Sequence, residues 1–376
     1  MKNILVFFGG KSCEHDISVI TGVLTLNSID KTIFNPYPVY ISRGGEWYTG
    51  KELFDVSFYK NFSAKKLKKV TLISGESSLY IKAKKLKKLC DIYSAINCTH
   101  GLNGEDGSLS GLLKLHNIPL ASPSLFASSL SIDKEYTKFV LSGIKVKCLD
   151  YVKIVDSDYY KNKQETISKI ERSIEYPLII KPCNLGSSIG VSSAKNQTEL
   201  ERAIETALIY DDKLIVEKKL EDFIELNCAC YGGENKVVVS QVERPISVND
   251  LLTFQDKYES FSGGGEREFP ARISKKDTEK VRQTTEKIYQ SLGFEGIIRV
   301  DYLLSNGKLY VNEINTVPGS LAYYLFTDTL KEFSNVLTEI IKVSVKNFSK
   351  YQSRKFDYKS GVLNINGAKG GKLKNN

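Results

Sequence analysis

Leu178-Ile179-Ile180-Lys181-Pro182-Cys183-Asn184-Leu185-Gly186-Ser187-Ser188-Ile189-Gly190-Val191 is the stretch on which the fold turns. Its apolar opening reads as a buried strand that delivers a lysine at its end, and Gly-Ser-Ser-x-Gly predicts a flexible turn before another β-branched run. Amide and hydroxyl donors on such a turn can fold over phosphate groups, with Lys181 as a point charge. A solvated hairpin with an incidental lysine is the competing reading. It is the weaker one, because Lys181 emerges from the apolar strand itself.

Downstream, Arg299-Val300-Asp301 lies on one predicted strand, and Asn312-Glu313-Ile314-Asn315-Thr316-Val317-Pro318-Gly319 ends the next. Alternation puts Arg299 and Asp301 on one face, and likewise Glu313 and Asn315. If the strands pair, Asp301, Glu313 and Asn315 form an all-oxygen set of the hard type that suits Mg²⁺ bridging nucleotide phosphates. Arg299 is then the cation beside a transferring phosphoryl group. A surface salt-bridge ladder is the alternative, disfavoured by the Ile, Val and Tyr neighbours.

Upstream lie two loops, each between a predicted strand and a helix. Gly9-Gly10-Lys11-Ser12-Cys13-Glu14-His15-Asp16 resembles a phosphate loop, but the required earlier glycine position is Leu5, and no Gly-x-Gly-x-x-Gly follows the strand. Ser12 or Asp16 as a helix cap is the simple reading. Glu14 gripping a cationic group at the sheet's carboxyl edge is the functional one. His100-Gly101-Leu102-Asn103-Gly104-Glu105-Asp106-Gly107 has three glycines in eight residues, so its backbone is forced into tight geometry beside two carboxylates.

The chain has 376 residues, 41% of them hydrophobic, and no uncharged apolar stretch near membrane-spanning length. Its net charge of +9 is concentrated. Residues 64–89, with Ala64-Lys65-Lys66-Leu67-Lys68-Lys69 echoed by Ala83-Lys84-Lys85-Leu86-Lys87-Lys88, hold nine Lys against one Glu; residues 351–376 hold six Lys/Arg against one Asp. The remaining 324 residues carry −4 (9 − 8 − 5). An acidic body, with lysine runs that lack interleaved stacking aromatics, argues against nucleic-acid binding. The lysine pairs suit solvated edge strands or a hairpin. Seven scattered cysteines in no framework spacing indicate a reduced, cytoplasmic protein, and neither Cys13-Glu-His15 nor Cys98-Thr-His100 has zinc-knuckle spacing.

The apolar pattern gives an α/β protein. An N-terminal α/β domain over 1–124 precedes a Ser-rich loosening at Ser122 to Leu130, a helix from Ile132 to Leu141, and a central subdomain over 125–212. A third subdomain over 213–350 opens at the strand Leu214 to Glu217 and continues as an antiparallel sheet with helices Lys275 to Leu292 and Thr329 to Lys346. The basic tail 351–376 has too little apolar content to pack.

In order and spacing these constellations resemble D-alanine:D-alanine ligase of the ATP-grasp superfamily, over roughly residues 1–345. Asp133-Lys134 with Lys138, and Val216-Glu217, extend the match. The resemblance implies an ATP-grasp fold and ATP-dependent joining of two D-amino acids through an acyl phosphate, for peptidoglycan precursors. It implies ATP and two Mg²⁺, or Mn²⁺, as cofactors, D-amino acids as the partners, and room for a homodimer. By the same resemblance, Glu14 holds the first substrate's ammonium within a network of Ser187 and Tyr258, and His100 belongs to that subsite. Lys134 and Lys181 meet the ATP phosphates, Glu217, Lys218 and Leu220 the adenine, and Glu225 the ribose. Asp301, Glu313 and Asn315 hold the metals. Arg299 and the Gly319 amide stabilise the acyl phosphate and tetrahedral intermediate.

The chain departs from the family pattern in three places. The expected lid, Leu251 to Pro270, is shorter ahead of Lys257-Tyr258; Ser110 stands where a glutamine is usual; and Tyr324, followed by Leu325, stands where a serine would hold the second substrate's carboxylate. The expectation is an intact nucleotide and first-substrate apparatus with an altered second subsite. The variants this leaves open are a different acceptor, such as D-serine or D-lactate, or a nucleotide-binding paralogue without ligase activity.

Overall fold

A computed structural model describes residues 1–233, 236–246 and 267–360. Strand β1 (Lys2–Gly9) buries the whole run Ile4 to Phe8 and pairs in parallel with β2 (Phe34–Ile41) and β7 (Ser94–Asn97). Helix α1 (His15–Ser28) follows β1, and α2 (Ser108–Leu115) follows β7, so both glycine-bearing loops sit at the carboxyl end of this sheet. Between β2 and β7 the chain adds β3 (Trp47–Thr49), β4 (Lys68–Leu72), β5 (Ser78–Lys82) and β6 (Leu86–Asp91), giving the order β6-β5-β4-β3-β2-β1-β7. The lysine echo therefore lies on an edge meander, and all nine lysines of residues 64–89 are exposed. A lysine-studded edge strand is solvated on its open side and resists pairing with another chain.

Neither Ser12 nor Asp16 caps α1. The Ser12 hydroxyl accepts from the Glu14 amide at 3.0 Å, Asp16 pairs with Arg43 on the surface, and Glu14 occupies the cap position with its carboxylate buried. The Ser-rich stretch expected to loosen is helical. Ser124 caps α3 (Leu125–Ile132); Asp133 then breaks the helix and caps α4 (Lys134–Gly143), accepting from the Glu135 and Tyr136 amides. A side chain that satisfies two orphan amides makes a helix start more stable than helix continuation there.

The second sheet runs β10-β9-β11-β8, with β8 (Tyr151–Val155), β9 (Leu178–Pro182), β10 (Ser192–Ala194) and β11 (Lys213–Lys218) all antiparallel. Strand β11 was expected to open the third subdomain. It instead lies between β9 and β8, with Leu214, Ile215 and Val216 wholly buried. A strand covered on both faces shows no period-two pattern, so nothing local tells which sheet it joins.

The third sheet runs β13-β12-β16-β17, from β12 (Ile224–Gly232), β13 (Val237–Val239), β16 (Ile297–Ser305) and β17 (Lys308–Asn315). Two short strands, β14 (Arg244–Pro245) and β15 (Arg267–Glu268), pair beside it. Ala127 of α3 and Leu141 of α4 join its core with Val281 and Ile288 of the helix Lys275–Ser291. The last helix, Leu330–Gln352, runs past the expected Lys346. It buries Phe333, Leu337 and Ile341 against Ile4, Val6 and Phe8, so the two ends of the described chain share one core. A Thr329/Glu332 capping box fixes its start. No described helix is long and apolar enough to cross a membrane. Residues 361–376 of the basic tail lie outside the described residues.

Candidate active site

A cleft lies where the sheets meet, lined among others by Lys134, Gly186, Asn312, Glu313, Asn315 and, from the N-terminal loop, Glu105. The geometry begins with β9 beside β11. Lys181 on β9 lies 2.6 Å from Glu217 Oε2 on β11 and donates to Asn312 Oδ1 at 2.8 Å, while Lys138 of α4 closes on Glu217 Oε1. Burial pushes the Glu217 carboxyl up, but Lys181 and Lys138 outweigh it and hold it below the usual carboxylate range. Glu217 thus fixes two ammonium groups in place. Lys134 Nζ donates to the Leu185 carbonyl at 2.5 Å and stands 4.0 Å from Glu313 Oε2, so one cation touches both the glycine-rich turn and the acidic strand.

That turn carries Ser187 and Ser188 at φ 52° and 58°. Left-handed conformations are uncommon for side-chain-bearing residues and cluster at ligand clamps. From this turn the Ser187 hydroxyl donates to Glu14 Oε1, joining residues 173 positions apart. Gly101, at φ 69°, presses against the same carboxylate: a Cβ there would stand 2.8 Å from Glu14 Oε2 and 2.5 Å from Ser12 Oγ. Glu14, the 100–101 backbone and the glycine-rich turn therefore form one small anionic pocket, shaped for a cationic group.

His100 is buried. Burial first, and Arg299 second, push its imidazole down to about 3, so the ring is neutral. Its Nε2 is 3.0 Å from the Thr21 hydroxyl, which also accepts from the Ser320 amide at 3.0 Å. Glu105 makes a second link between lobes. It accepts from the Gly101 amide at 3.0 Å and the Val317 amide at 3.1 Å. Burial and neighbouring Glu14 raise its carboxyl above the usual range, against those two amides.

On the third sheet the two strands do pair, and Asp301 faces Glu313 and Arg299 faces Asn315 in register. Arg299 Nε and Nη2 donate to the two Asp301 oxygens at 2.6 and 2.8 Å, and Asn315 adds a bond of 3.0 Å. Arg299 Nη1 lies 3.4 Å from the Tyr324 hydroxyl. Burial pushes the Tyr324 phenol up to about 12. Gly319 opens the turn Gly319–Leu325, in which Ser320, Leu321 and Ala322 are left-handed, and Leu325 packs with Ala229 and Ala322.

The structure therefore brings Glu14, His100, Lys134, Lys181, Ser187, Glu217, Arg299, Asp301, Glu313, Asn315 and Tyr324 to one region. Lys218 points its ammonium elsewhere, to the Tyr176 carbonyl at 2.7 Å, leaving only its backbone for a nucleotide base. Leu220 and Glu225 are half-buried, and Glu225 sits opposite Leu303. Tyr258 and most of the expected lid lie outside the described residues. Glu105, Thr21 and Asn312 were not singled out from sequence as site residues. Glu105 lay within a recognised loop, whereas nothing local marked Thr21, an inward threonine on a helix.

Two antiparallel sheets that enclose a cleft between a lysine-bearing glycine-rich turn and an acidic strand pair define the ATP-grasp class. The family profiles described as "D-ala D-ala ligase N-terminus" and "D-ala D-ala ligase C-terminus" match residues 3–123 and 140–343. A D-alanine–D-alanine ligase of Thermosipho melanesiensis is 35% identical over 355 residues, covering 93% of this chain and 95% of its own length. One of Clostridium acetobutylicum is 32% identical over 358 residues (91% and 98%). Among solved structures, the Helicobacter pylori D-alanine–D-alanine ligase aligns with TM-score 0.74 at 27% identity (90% and 98%), and the VanG D-Ala:D-Ser ligase of Enterococcus faecalis with TM-score 0.74 at 26% (91% and 99%). The chain belongs to the D-alanine–D-alanine ligase family, ATP-dependent ligases with the ATP-grasp fold.

Proposed function

We propose that this chain joins two D-alanines to D-alanyl-D-alanine at the expense of ATP, through a D-alanyl phosphate, for peptidoglycan precursor synthesis. The observation that carries the reading is the Ser187–Glu14 bond, which sets a carboxylate suited to a substrate ammonium at the mouth of the nucleotide cleft. The first D-alanine is anchored through its ammonium on Glu14, with Tyr258 completing the network, and its carboxylate points toward the ATP γ-phosphate. Lys134 and Lys181 hold the phosphates, the Glu217–Leu220 backbone the adenine, and Glu225 the ribose.

A carboxylate is a poor electrophile until one oxygen becomes a leaving group. A carboxylate oxygen attacks the γ-phosphorus, the bond to ADP breaks, and an acyl phosphate results. The uncharged amine of the second D-alanine then attacks the acyl carbon; the tetrahedral species collapses with loss of phosphate, and the nitrogen gives up a proton. Arg299 and the Gly319 amide face the charge that develops on the carbonyl oxygen. Neutral His100, fixed by Thr21, offers a hydrogen bond without adding a charge.

Asp301, Glu313 and Asn315 supply oxygen donors on adjoining strands, a set that fits Mg²⁺ or Mn²⁺. Two such ions there would supply charge neutralisation across the ATP phosphates. Cytoplasmic residence fits seven free cysteines. The test is phosphate release with Mg-ATP, D-alanine and a panel of acceptors including D-serine and D-lactate. D-alanine-dependent release with D-alanyl-D-alanine as product is expected; release that prefers another acceptor, or none at all, overturns the reading.

A further inference from the structure

The side chains around Tyr324 pose a question that the reaction as described leaves open. An amino-acid acceptor brings a carboxylate as well as an amine, and a buried anion needs a partner. Arg299 is already engaged, since Asp301 binds its Nε and Nη2 and its Nη1 lies 3.4 Å from the Tyr324 hydroxyl. Among the described residues, the other cation at Tyr324 is Arg267, on β15. Its guanidinium carbon lies 5.1 Å from the centre of the Tyr324 ring and 5.2 Å from that of Phe269. Nη1 is 3.2 Å from Glu243 Oε1. Glu243 is itself buried and accepts from Asn227 Nδ2 at 3.2 Å, so the group that steadies Arg267 is fixed in turn.

We propose that Arg267, steadied by Glu243 and by the Tyr324 and Phe269 rings, binds the carboxylate of the acceptor amino acid and sets acceptor specificity. The inference rests on the ligase reading and names a residue for its second substrate. Three features support it. A guanidinium has five N–H donors and the Glu243 contact uses one, so a carboxylate can still be met in two-point fashion. Stacking between aromatic rings limits the rotamers of a long side chain, so little further ordering is needed on binding. The side chain is also 42% exposed, unlike Arg299 at 13%, so a ligand can reach it. Arg267 lies over the Tyr324 ring, and Arg299 stands at its hydroxyl. An acceptor lying along that ring would present its amine toward the acyl carbon near Arg299 and its carboxylate toward Arg267.

The full-length enzyme tests this with D-alanine and D-alaninamide as competing acceptors. The parent should prefer the carboxylate-bearing acceptor. Arg267→Ala should raise the KM for the second D-alanine about tenfold or more, leave that for the first unchanged, and erase the preference over the amide. Arg267→Lys keeps the charge without the planar fork and should fall between. If both variants turn over with the parent's preference intact, or lose affinity for both D-alanines equally, Arg267 is only a structural prop and the proposal fails. A parent that makes no dipeptide defeats the ligase reading instead, and this proposal with it.

Discussion

Glu14 shows how much a single side chain can change meaning between sequence and structure. Beside a helix start it has an ordinary reading as a favourable charge near the positive end. In the fold it is buried, tied to Ser187 and pressed by Gly101. Glu14→Gln should raise the KM for the first D-alanine by about tenfold or more with the fold intact, read by steady-state kinetics beside a thermal melt. Arg299→Ala should lower kcat by about 10²–10³, the usual loss for one donor to a developing oxyanion. Glu105 gives a pH signature. Its carboxyl is raised above the ordinary unfolded value near 4.5, so its contribution to stability is full below that pH and is lost as pH rises through the folded value. Denaturation midpoints should therefore fall across mildly acidic to mildly alkaline pH, and Glu105→Gln should flatten that slope; an unchanged slope would assign it to other groups. Arg299, Asp301, Glu313 and Asn315 were legible in the sequence because strand alternation is a local rule. Glu105 was visible only as part of its loop, since its second partner, Val317, lies 212 residues away.

At the scale of elements, β9, β11 and α4 converge on the Lys181–Glu217–Lys138 cluster. Removing the shared carboxylate leaves two buried ammonium groups uncompensated, so Glu217→Ala should cost about 3–5 kcal/mol in denaturant titration, besides its effect on nucleotide binding. The three residues were named in the sequence by resemblance, but their pairing was not legible, because the neighbours of β11 are chosen by tertiary packing. Asp133 misled in another way: the helix was expected to begin at Ile132 after a Ser-rich loosening, whereas α3 already ends there and Asp133 caps α4 by satisfying two amides at once. The edge meander was legible. Lysines paired around a leucine have few folded homes other than a solvated edge, and β4 to β6 provide one.

The whole molecule closes on itself through the helix Leu330–Gln352, whose apolar face completes the N-terminal core. Truncating Phe333 to alanine should cost about 3–5 kcal/mol, and the loss should appear in the N-terminal lobe by hydrogen exchange, although the residue lies far along the chain. The basic segments behave differently. A chain carrying Lys84→Glu with Lys85→Glu should keep kcat/KM within about twofold, because these exposed residues lie outside the cleft and exposed charges are screened. The lysine runs of residues 64–89 are peripheral surface, while the chemistry rests on a few placed cations facing carboxylates. That chemistry is tested most directly by isotope transfer. With D-alanine labelled with ¹⁸O in its carboxylate, an acyl phosphate requires one labelled oxygen to leave in inorganic phosphate for each dipeptide formed. Dipeptide formation with unlabelled phosphate would contradict the account at its centre.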